Sequence, residues 1–337
     1  MAVVVPAYNV AKYLRECLDS LLVQTHQNFI IYAVDDGSPD ESGAILDEYA
    51  KKDPRINVIH KENGGLSSAR NAALDEIEHD GKFDYIGFVD SDDKVLPRYL
   101  EILVNAITSN DVDIAQCGYF KFNDDGKTRT KNTTQPRSTL SSEEFIECIF
   151  STLNVRKTHF TCGYVWNKLF SASLIRNLRF PYDREVLEDE IFSLQATVRA
   201  KRIAYLPDAL YGYRQRSNSM VRNERFVRQR FEGRLLCLDI AKEVSDHAAV
   251  VVASSIATAT VKLLDDAKQI PTLNLKPYKN LVLKAEKLNF VEHKVVRGFL
   301  LFCDYPILAR PYRDMRRLLR TLSFWKTNKK KRAINLT

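Results

Sequence analysis

The sequence predicts an α/β fold, a mostly parallel sheet flanked by helices, with a helical appendage at its C-terminal end. Three observations predict it. Short β-branched runs alternate with apolar residues at helical spacing through the first half. Two of these runs end in acidic clusters, Phe29 to Val34 running into Asp35-Asp36-Gly37-Ser38 and Tyr85 to Val89 into Asp90-Ser91-Asp92-Asp93. Beyond about Asn218 strand signals become rare. Carboxylates at the carboxyl ends of buried strands are where open α/β sheets place ligands, so the chain reads as an enzyme handling a metal-bound anion.

The first strand is Val3 to Val5, ended by Pro6. Behind a possible Asn9 cap, Val10, Tyr13, Leu14, Cys17, Leu18 and Leu21 recur at helical spacing. Phe29 to Val34 repeats the strand signal, Ser38 or Asp40 can cap a helix carrying Ile45, Leu46 and Tyr49, and Ile56 to Ile59 supplies a third strand. The Asn63-Gly64-Gly65 loop leads into a helix near Ser67 with Ala69, Ala72, Ala73 and Ile77, before the fourth strand at Tyr85 to Val89. Pro97 starts a helix through Leu100, Leu103 and Ile107. Asp113 to Tyr119 reads as a fifth strand, Asn123 to Lys127 as a hairpin turn, and the polar segment up to Ser138 as a mobile loop. This rhythm implies a parallel sheet. Later, Phe226 to Val244 and Val250 to Leu264 carry helical spacing, which divides the chain into residues 1–218 and a helical domain at 219–337.

Length and composition narrow the classes. The 337 residues allow one large domain with an addition, or two domains, at a usual density of about 100–200 residues each. With 45% hydrophobic and 28% charged residues the chain is ordinary for a soluble globular protein, and a formal charge of +7 favours anionic partners only weakly. The start, Met1 to Pro6, has no basic leader and too short an apolar run for a signal peptide or a membrane span, so the expected location is the cytoplasm. Cys17, Cys117, Cys148, Cys162, Cys237 and Cys303 lack paired short spacing, which argues against a zinc ribbon or a disulfide framework and for reduced structural thiols. The six histidines show no metal-ligand spacing; His159 is the one near a candidate site segment.

Four motifs stand at the strand ends and the loop between them. They are Val5-Pro6-Ala7-Tyr8-Asn9, Asp35-Asp36-Gly37-Ser38-Pro39-Asp40, Asn63-Gly64-Gly65-Leu66-Ser67-Ser68-Ala69-Arg70-Asn71 and Asp90-Ser91-Asp92-Asp93. In order and spacing they closely resemble family 2 glycosyltransferases of the GT-A fold, a Rossmann-like nucleotide-binding plan, over roughly residues 1–215. Residues i and i+2 of an extended segment point the same way, so Asp90 and Asp92 can address one site, and carboxylate oxygens suit Mg²⁺ or Mn²⁺. The resemblance implies that Asp92 ligates the metal and that Asp90 contacts the ribose or a metal-bound water, with Ser91 in the same nucleotide-sugar site. The bland alternative is a solvated acidic turn, with Asp93 as a helix cap.

Asp35 and Asp36 offer carboxylates as acceptors for the N3–H of uracil. By the resemblance the base and ribose lie here against Pro6, Ala7 and Tyr8, although Tyr8 can equally be core packing. Arg70, near a helix start, can bind phosphate, pack on the base, or form an ion pair with Glu62 or an acidic turn. The segment Glu188-Asp189-Glu190-Ile191-Phe192 matches the family's Glu-Asp motif, which makes Asp189 the candidate base for an inverting transfer; the alternative is an acidic first helical turn. Gly163 to Phe170 resembles the segment flanking the acceptor cleft, placing Trp166, Asn167 and Glu188 on the acceptor side; Trp166 is either a platform for a sugar ring or a half-buried core residue. Tyr211 to Ser219 resembles the closing loop, where Arg214 or Arg216 can reach the diphosphate. A histidine that some relatives use for the metal is missing there, so Asp92, phosphate oxygens and water would hold it.

The resemblance implies transfer of a hexose or N-acetylhexosamine from a UDP-sugar to a glycan or glycoprotein-linked glycan. A sugar nucleotidyltransferase would show a Gly-rich basic loop after the first strand, which Val5 to Asn9 is not; a non-catalytic scaffold subunit would not need both acidic clusters. The basic run from Arg310 to Arg332, interleaved with Leu318, Leu322, Phe324 and Trp325, fits self-association or a partner subunit, a solvated helix, or contact with the inner face of a membrane. No motif for nucleic acid accompanies it.

Overall fold

The computed structural model describes residues 1–124, 126, 128–132, 137–150, 163–216, 224–266, 276–288, 291 and 293–304. The elements run β1 (Ala2–Ala7), α1 (Ala11–Leu22), β2 (Ile30–Asp35), α2 (Ser42–Lys52), β3 (Ile56–His60), α3 (Leu66–Asp80), β4 (Tyr85–Phe88), β5 (Lys94–Val95), α4 (Tyr99–Ser109) and β6 (Ile114–Phe122). They continue through β7 (Thr128–Asn132), β8 (Ser138–Leu140), α5 (Ser142–Phe150), β9 (Lys168–Ser171), α6 (Ala172–Ile175), α7 (Glu188–Arg199) and β10 (Ile203–Arg214). Four further helices follow, α8 (Glu224–Lys242), α9 (Asp246–Asp266), α10 (Lys279–Lys287) and α11 (His293–Asp304).

The strands form one sheet in the order β3-β2-β1-β4-β9-β6-β10-β5, with β7 added on β6 and β8 on β10. β3, β2, β1 and β4 are parallel, β9 runs against both β4 and β6, and β6 and β10 are parallel. The carboxyl ends of β1, β2, β4, β6 and β10 therefore share one edge. Because β1 connects through α1 to β2 on one side while β4 lies on its other side, a crevice opens at that edge between them.

The period of two in β1 divides the core. Val3, Val5 and Ala7 pack with Leu14, Leu18 and Leu21 of α1 and with Leu100 and Leu103 of α4. Ala2 and Val4 face Ala69, Ala73 and Ile77 of α3 on the other side. Pro6 is tolerated in this central strand for a positional reason. Val89 N–H donates to Val4 O, 3.0 Å, so even-numbered residues of β1 address β4, and β4 pairs only as far as Val4. The donor that proline lacks would have met no partner.

Local chemistry corrects several expectations. Asn9 is not the cap of α1; it sits at φ 53°, and the helix starts behind Val10 without a side-chain cap. Asp40 serves two helices instead, accepting from Ala11 N–H of α1 at 2.9 Å and from Ser42 N–H of α2 at 3.0 Å. Asp93 caps no helix, since Arg98 precedes α4. Of the segment expected to be a loop up to Ser138, residues 128–132 pair with β6 and 138–140 with β10, while 133–136 lie outside the described residues. Tyr211 to Arg214, expected in a closing loop, end the long strand β10.

Helices α8 to α11 bury Leu238, Val250, Ile256, Val282 and Phe299 in a cluster that also takes Ile146 and Phe150 of α5 and Ile191 and Leu194 of α7. The helical part is thus packed on the sheet's own helices. Among the described residues Cys17, Cys117, Cys237 and Cys303 are buried free thiols. No helix among the described residues is long and apolar enough to cross a membrane. His159, Cys162, Ser217 to Ser219 and the basic run from Arg310 to Arg332 lie outside the described residues.

Candidate active site at the carboxyl edge of the sheet

The second acidic cluster leaves β4 in a tight turn, Asp93 N–H donating to Asp90 O at 3.0 Å. β10 holds this turn. Asp90 N–H donates to the Tyr211 hydroxyl at 3.1 Å, which donates on to Asp93 Oδ2 at 2.8 Å. Arg214 N–H donates to Asp93 Oδ1 and its Nε to Asp92 O, each at 2.7 Å. Asp93, buried and fully bonded, is a pin for the turn, and burial together with the charges of Asp92 and Asp90 holds its carboxyl well above the usual range. Arg214, also buried, is committed to this turn and to Glu16. The cation beside Asp92's own carboxylate is Arg216, which is partly exposed.

Asp92 therefore presents its carboxylate at the crevice, partly exposed. Burial and the neighbouring Asp90 charge raise its pKa despite Arg216. Of the three carboxylates in this turn, Asp93 is bonded within the turn and Asp90 is paired with Arg70, so Asp92 is the one whose oxygens, with the partly exposed Arg216 beside them, fit a hard divalent cation. No three His, Cys, Asp or Glu side chains converge as a cage among the described residues, so Asp92 would supply a carboxylate oxygen and phosphate and water the remaining ligands.

At the end of β2 both carboxylates are already engaged. Asp36 accepts from Lys61 Nζ at 2.6 Å, Gly64 N–H at 3.0 Å and Gly65 N–H at 2.7 Å, which fixes the loop before α3. Asp35 accepts from Ser38 N–H at 3.0 Å and contacts His60 Nδ1 at 3.1 Å, while His60 Nε2 contacts Asp47 at 2.9 Å. His60 was not singled out from the sequence; its signal is the pairing register, in which Asp35 and His60 end neighbouring strands. Hydrogen bonds to Asp47 and then Asp35 raise its pKa. Between these strands Gly37 has φ 69°, and a Cβ there would stand 2.8 Å from Asn63 N, so only glycine lets the two loops meet. Pro6 and Ala7 are buried beside this loop, and Tyr8 is 49% exposed, which excludes the core-packing alternative.

Arg70 joins the two halves of the site. It is 1% exposed, with Nη2 donating to Asp90 Oδ1 at 2.9 Å and Nη1 to Glu188 Oε1 at 3.1 Å, and it lies 5.1 Å from the centroid of the Phe180 ring. The ion-pair alternative describes it, with a partner 118 residues away that the sequence could not name. Its Nη1 and Nη2 donors are turned to carboxylates rather than to an open phosphate subsite, and Glu188, 7% exposed, is its counterion.

Asp189 follows in the first turn of α7, behind Leu187 at φ 65°. Its Oδ1 accepts from Glu190 N–H at 2.7 Å. Burial, then the Glu188 charge, pushes its pKa up to about 8, only partly offset by Arg70. A strained backbone ahead of a carboxylate with perturbed acidity is a mark of functional sites.

Trp166 and Asn167 are structural. Trp166 is 2% exposed, stacked 4.3 Å from Tyr211 and 4.7 Å from Tyr164, so it offers no open face to a sugar. Asn167 is buried and donates to Cys117 O at 2.9 Å. Ser91 is buried in the acidic turn.

Comparisons agree with this architecture. A family model for glycosyl transferase family 2 matches residues 2–179. The chain is 39% identical over 222 residues to the uncharacterized glycosyltransferase EpsJ of Bacillus subtilis, covering 65% of this chain and 62%, less than two thirds, of that protein. It is 34% identical over 228 residues to glycosyltransferase GlyG of Streptococcus pneumoniae, covering 66% of this chain and 73% of GlyG. Among solved structures, S. aureus TarS 1-349 in complex with UDP-GlcNAc aligns with a TM-score of 0.61 at 20% identity, over 88% of this chain and 89% of that one. At that identity the likeness speaks for the fold, and the fold is the GT-A arrangement of a mostly parallel sheet with helices on both faces. With the motifs at the strand ends and a family match over more than half its length, the chain belongs to glycosyl transferase family 2.

Proposed function

We propose that the protein is a metal-dependent, inverting glycosyltransferase that moves a hexose or N-acetylhexosamine from a UDP-sugar to a hydroxyl of a glycan or glycoprotein-linked glycan. The observation that carries the reading is the ion-pair bridge of Arg70, which ties the Asp90 turn to the Glu188-Asp189 turn across the crevice. The family membership supports the class of reaction, and the UDP-GlcNAc named with the TarS structure supports a UDP-sugar donor.

In this reading Tyr8, exposed at the end of β1, stacks on the uracil, with the Asp35 turn behind the base and ribose. Asp92 would hold Mn²⁺ or Mg²⁺, which supplies charge neutralisation for the departing diphosphate. Arg216 adds a second positive charge beside Asp92. Asp189 takes the proton of the acceptor hydroxyl on Oδ2, its Oδ1 being bonded to Glu190 N–H. The hydroxyl oxygen attacks the anomeric carbon, the bond from that carbon to the diphosphate oxygen breaks, and its electron pair leaves with UDP. One displacement inverts the configuration. The raised pKa of Asp189 suits a base near neutral pH, because a more basic carboxylate takes the proton with less penalty.

Residues 1–218 would carry this chemistry, 219–337 would support it, and the basic C-terminal run would meet a partner subunit, a second copy or the inner face of a membrane. Calorimetric titration of UDP tests the donor site. Binding that needs Mn²⁺ and is lost in Asp92→Ala supports it; no binding in either condition contradicts it.

A further inference from the structure

The helical part of the chain does more than cover apolar surface, for its first helix is built into the turn that carries Asp189. Three successive sites on one face of α8 meet that turn. Gln229 Oε1 accepts from Glu185 N–H at 3.0 Å. One turn on, Gly233 gives room to Leu187: a Cβ there would stand 2.9 Å from Leu187 Cδ1 and 3.3 Å from Arg184 Nη1. Beside it, Arg234 pairs with Glu190 and lies 5.1 Å from the Phe150 ring centroid. Glu190 is enclosed on its other side by Gly163, where a Cβ would stand 2.9 Å from Glu190 Cγ.

Leu187 needs this support. A leucine in the left-handed region is strained and persists only where its surroundings over-determine it. Gly233 of α8 is among those surroundings. We propose that Arg234 is a positioning residue of the transfer reaction: through Glu190 it fixes the Leu187 to Glu190 turn and so the orientation of Asp189, and its charge favours the ionised, proton-accepting form. This rests on the reading of Asp189 as the base.

The charged and titratable groups around Asp189 place Arg234 in context. Glu188 and Glu190 share its turn; Arg70 approaches from α3 and Asp90 from the end of β4; Lys168 lies on β9, Tyr164 ahead of it, and Arg234 and Cys237 on α8. Arg70 is already shared between Asp90 and Glu188. Arg234 is thus the cation of α8 that pairs within the turn, while Arg230, one turn earlier and exposed, acts near Tyr164. Burial pushes its own pKa down while the Asp189 charge acts in the opposite sense, and a guanidinium stays protonated throughout.

The test uses the full-length chain with Arg234→Met and Arg234→Lys, following UDP release against pH and donor concentration and amide hydrogen exchange over residues 184–192. Arg234→Met is expected to lower kcat by about tenfold or more with the donor KM within about twofold. The acid limb of the kcat profile should move up by about half a pH unit or more. Exchange in 184–192 should accelerate about tenfold, confined to that segment. Arg234→Lys, which keeps the charge, should recover most of kcat. Unchanged kcat and exchange would overturn the proposal, as would a loss that lysine does not rescue and that leaves the pH profile in place. If the unaltered protein releases no UDP, the functional reading fails by itself, and the exchange arm still judges whether Arg234 holds the turn. Should Arg234→Met not fold, Arg234→Gln carries the same expectations.

Discussion

Replacing Arg70 by methionine removes a cation that the two acidic turns share while keeping a similar apolar volume over Phe180. The two arms of the bridge are unequal. Glu188 is 7% exposed, so its carboxylate would be left desolvated and unpaired, whereas the Asp90 side chain is 24% exposed and water screens much of its loss. Breaking a buried pair from one side costs about 3–5 kcal/mol, and the partial exposure of Asp90 puts Arg70→Met near the lower end, about 3 kcal/mol. Loss of the guanidinium over Phe180 adds up to about 1 kcal/mol. The urea midpoint and Tm of the variant measure this. Because Glu188 already has a raised pKa, from burial first and only partly relieved by Arg70, it can neutralise itself by protonation, and the penalty should be smaller at pH 5 than at pH 8. Arg70→Met combined with Glu188→Gln should recover at least about 1 kcal/mol relative to additivity. A variant within about 0.5 kcal/mol of the unaltered protein, or a double variant with no coupling to Glu188, would refute the bridge.

Three further outcomes follow from the same geometry. Asp189→Asn should cut turnover by at least about a hundredfold while raising stability. A carboxyl raised in the folded state to about 8 stays protonated there while the unfolded chain ionises, so stability falls progressively as pH rises from the ordinary carboxylate range to about 8 and the Tm advantage of the asparagine variant should widen from pH 5 to pH 8; a constant gap would contradict the raised Asp189. Gly37→Ala should destabilise the protein by about 1–2 kcal/mol and weaken UDP binding, since φ 69° and the 2.8 Å approach to Asn63 N both exclude a side chain; unchanged urea midpoint and affinity would show that the two loops do not meet. Trp166→Ala should cost about 3–5 kcal/mol through the lost stack on Tyr211 and leave the acceptor KM unchanged in a folded preparation, whereas a stable variant with a raised acceptor KM would restore the platform reading.

The first half of the fold is legible because its signals are local and agree with one another. Val3 to Val5, Phe29 to Val34 and Tyr85 to Val89 are continuous apolar runs, as strands buried on both faces should be, and each is followed by residues at helical spacing. The strands that complete the sheet are hidden for physical reasons. β9 is four residues long and begins with Lys168, which is fully buried although its residue type predicts a surface. β10 is interrupted by Pro207 and Asp208, where its pairing with β6 shifts register, and the bulge conceals a strand that continues to Arg214.

The candidate site divides along the same line. Asp92 and Asp189 could be chosen because carboxylates at a strand end and at a helix start announce themselves by position. What each cation touches could not be chosen. Arg70 has its partners 20 and 118 residues away, and Arg214 is spent on the backbone of the acidic turn while Arg216 meets Asp92. Tyr8 and Trp166 show the same limit for aromatics: both are open between ligand platform and core in the sequence, and exposure of 49% places Tyr8 outside the core while 2% places Trp166 within it.

The most direct measurement is UDP released by the purified protein from a panel of UDP-sugars with Mn²⁺, beside Asp92→Ala and Asp189→Asn. The account predicts release from one donor, abolished by chelation and by Asp92→Ala, with acceptor-dependent turnover lost in Asp189→Asn. Release that persists undiminished in Asp92→Ala or in the presence of chelator would contradict it.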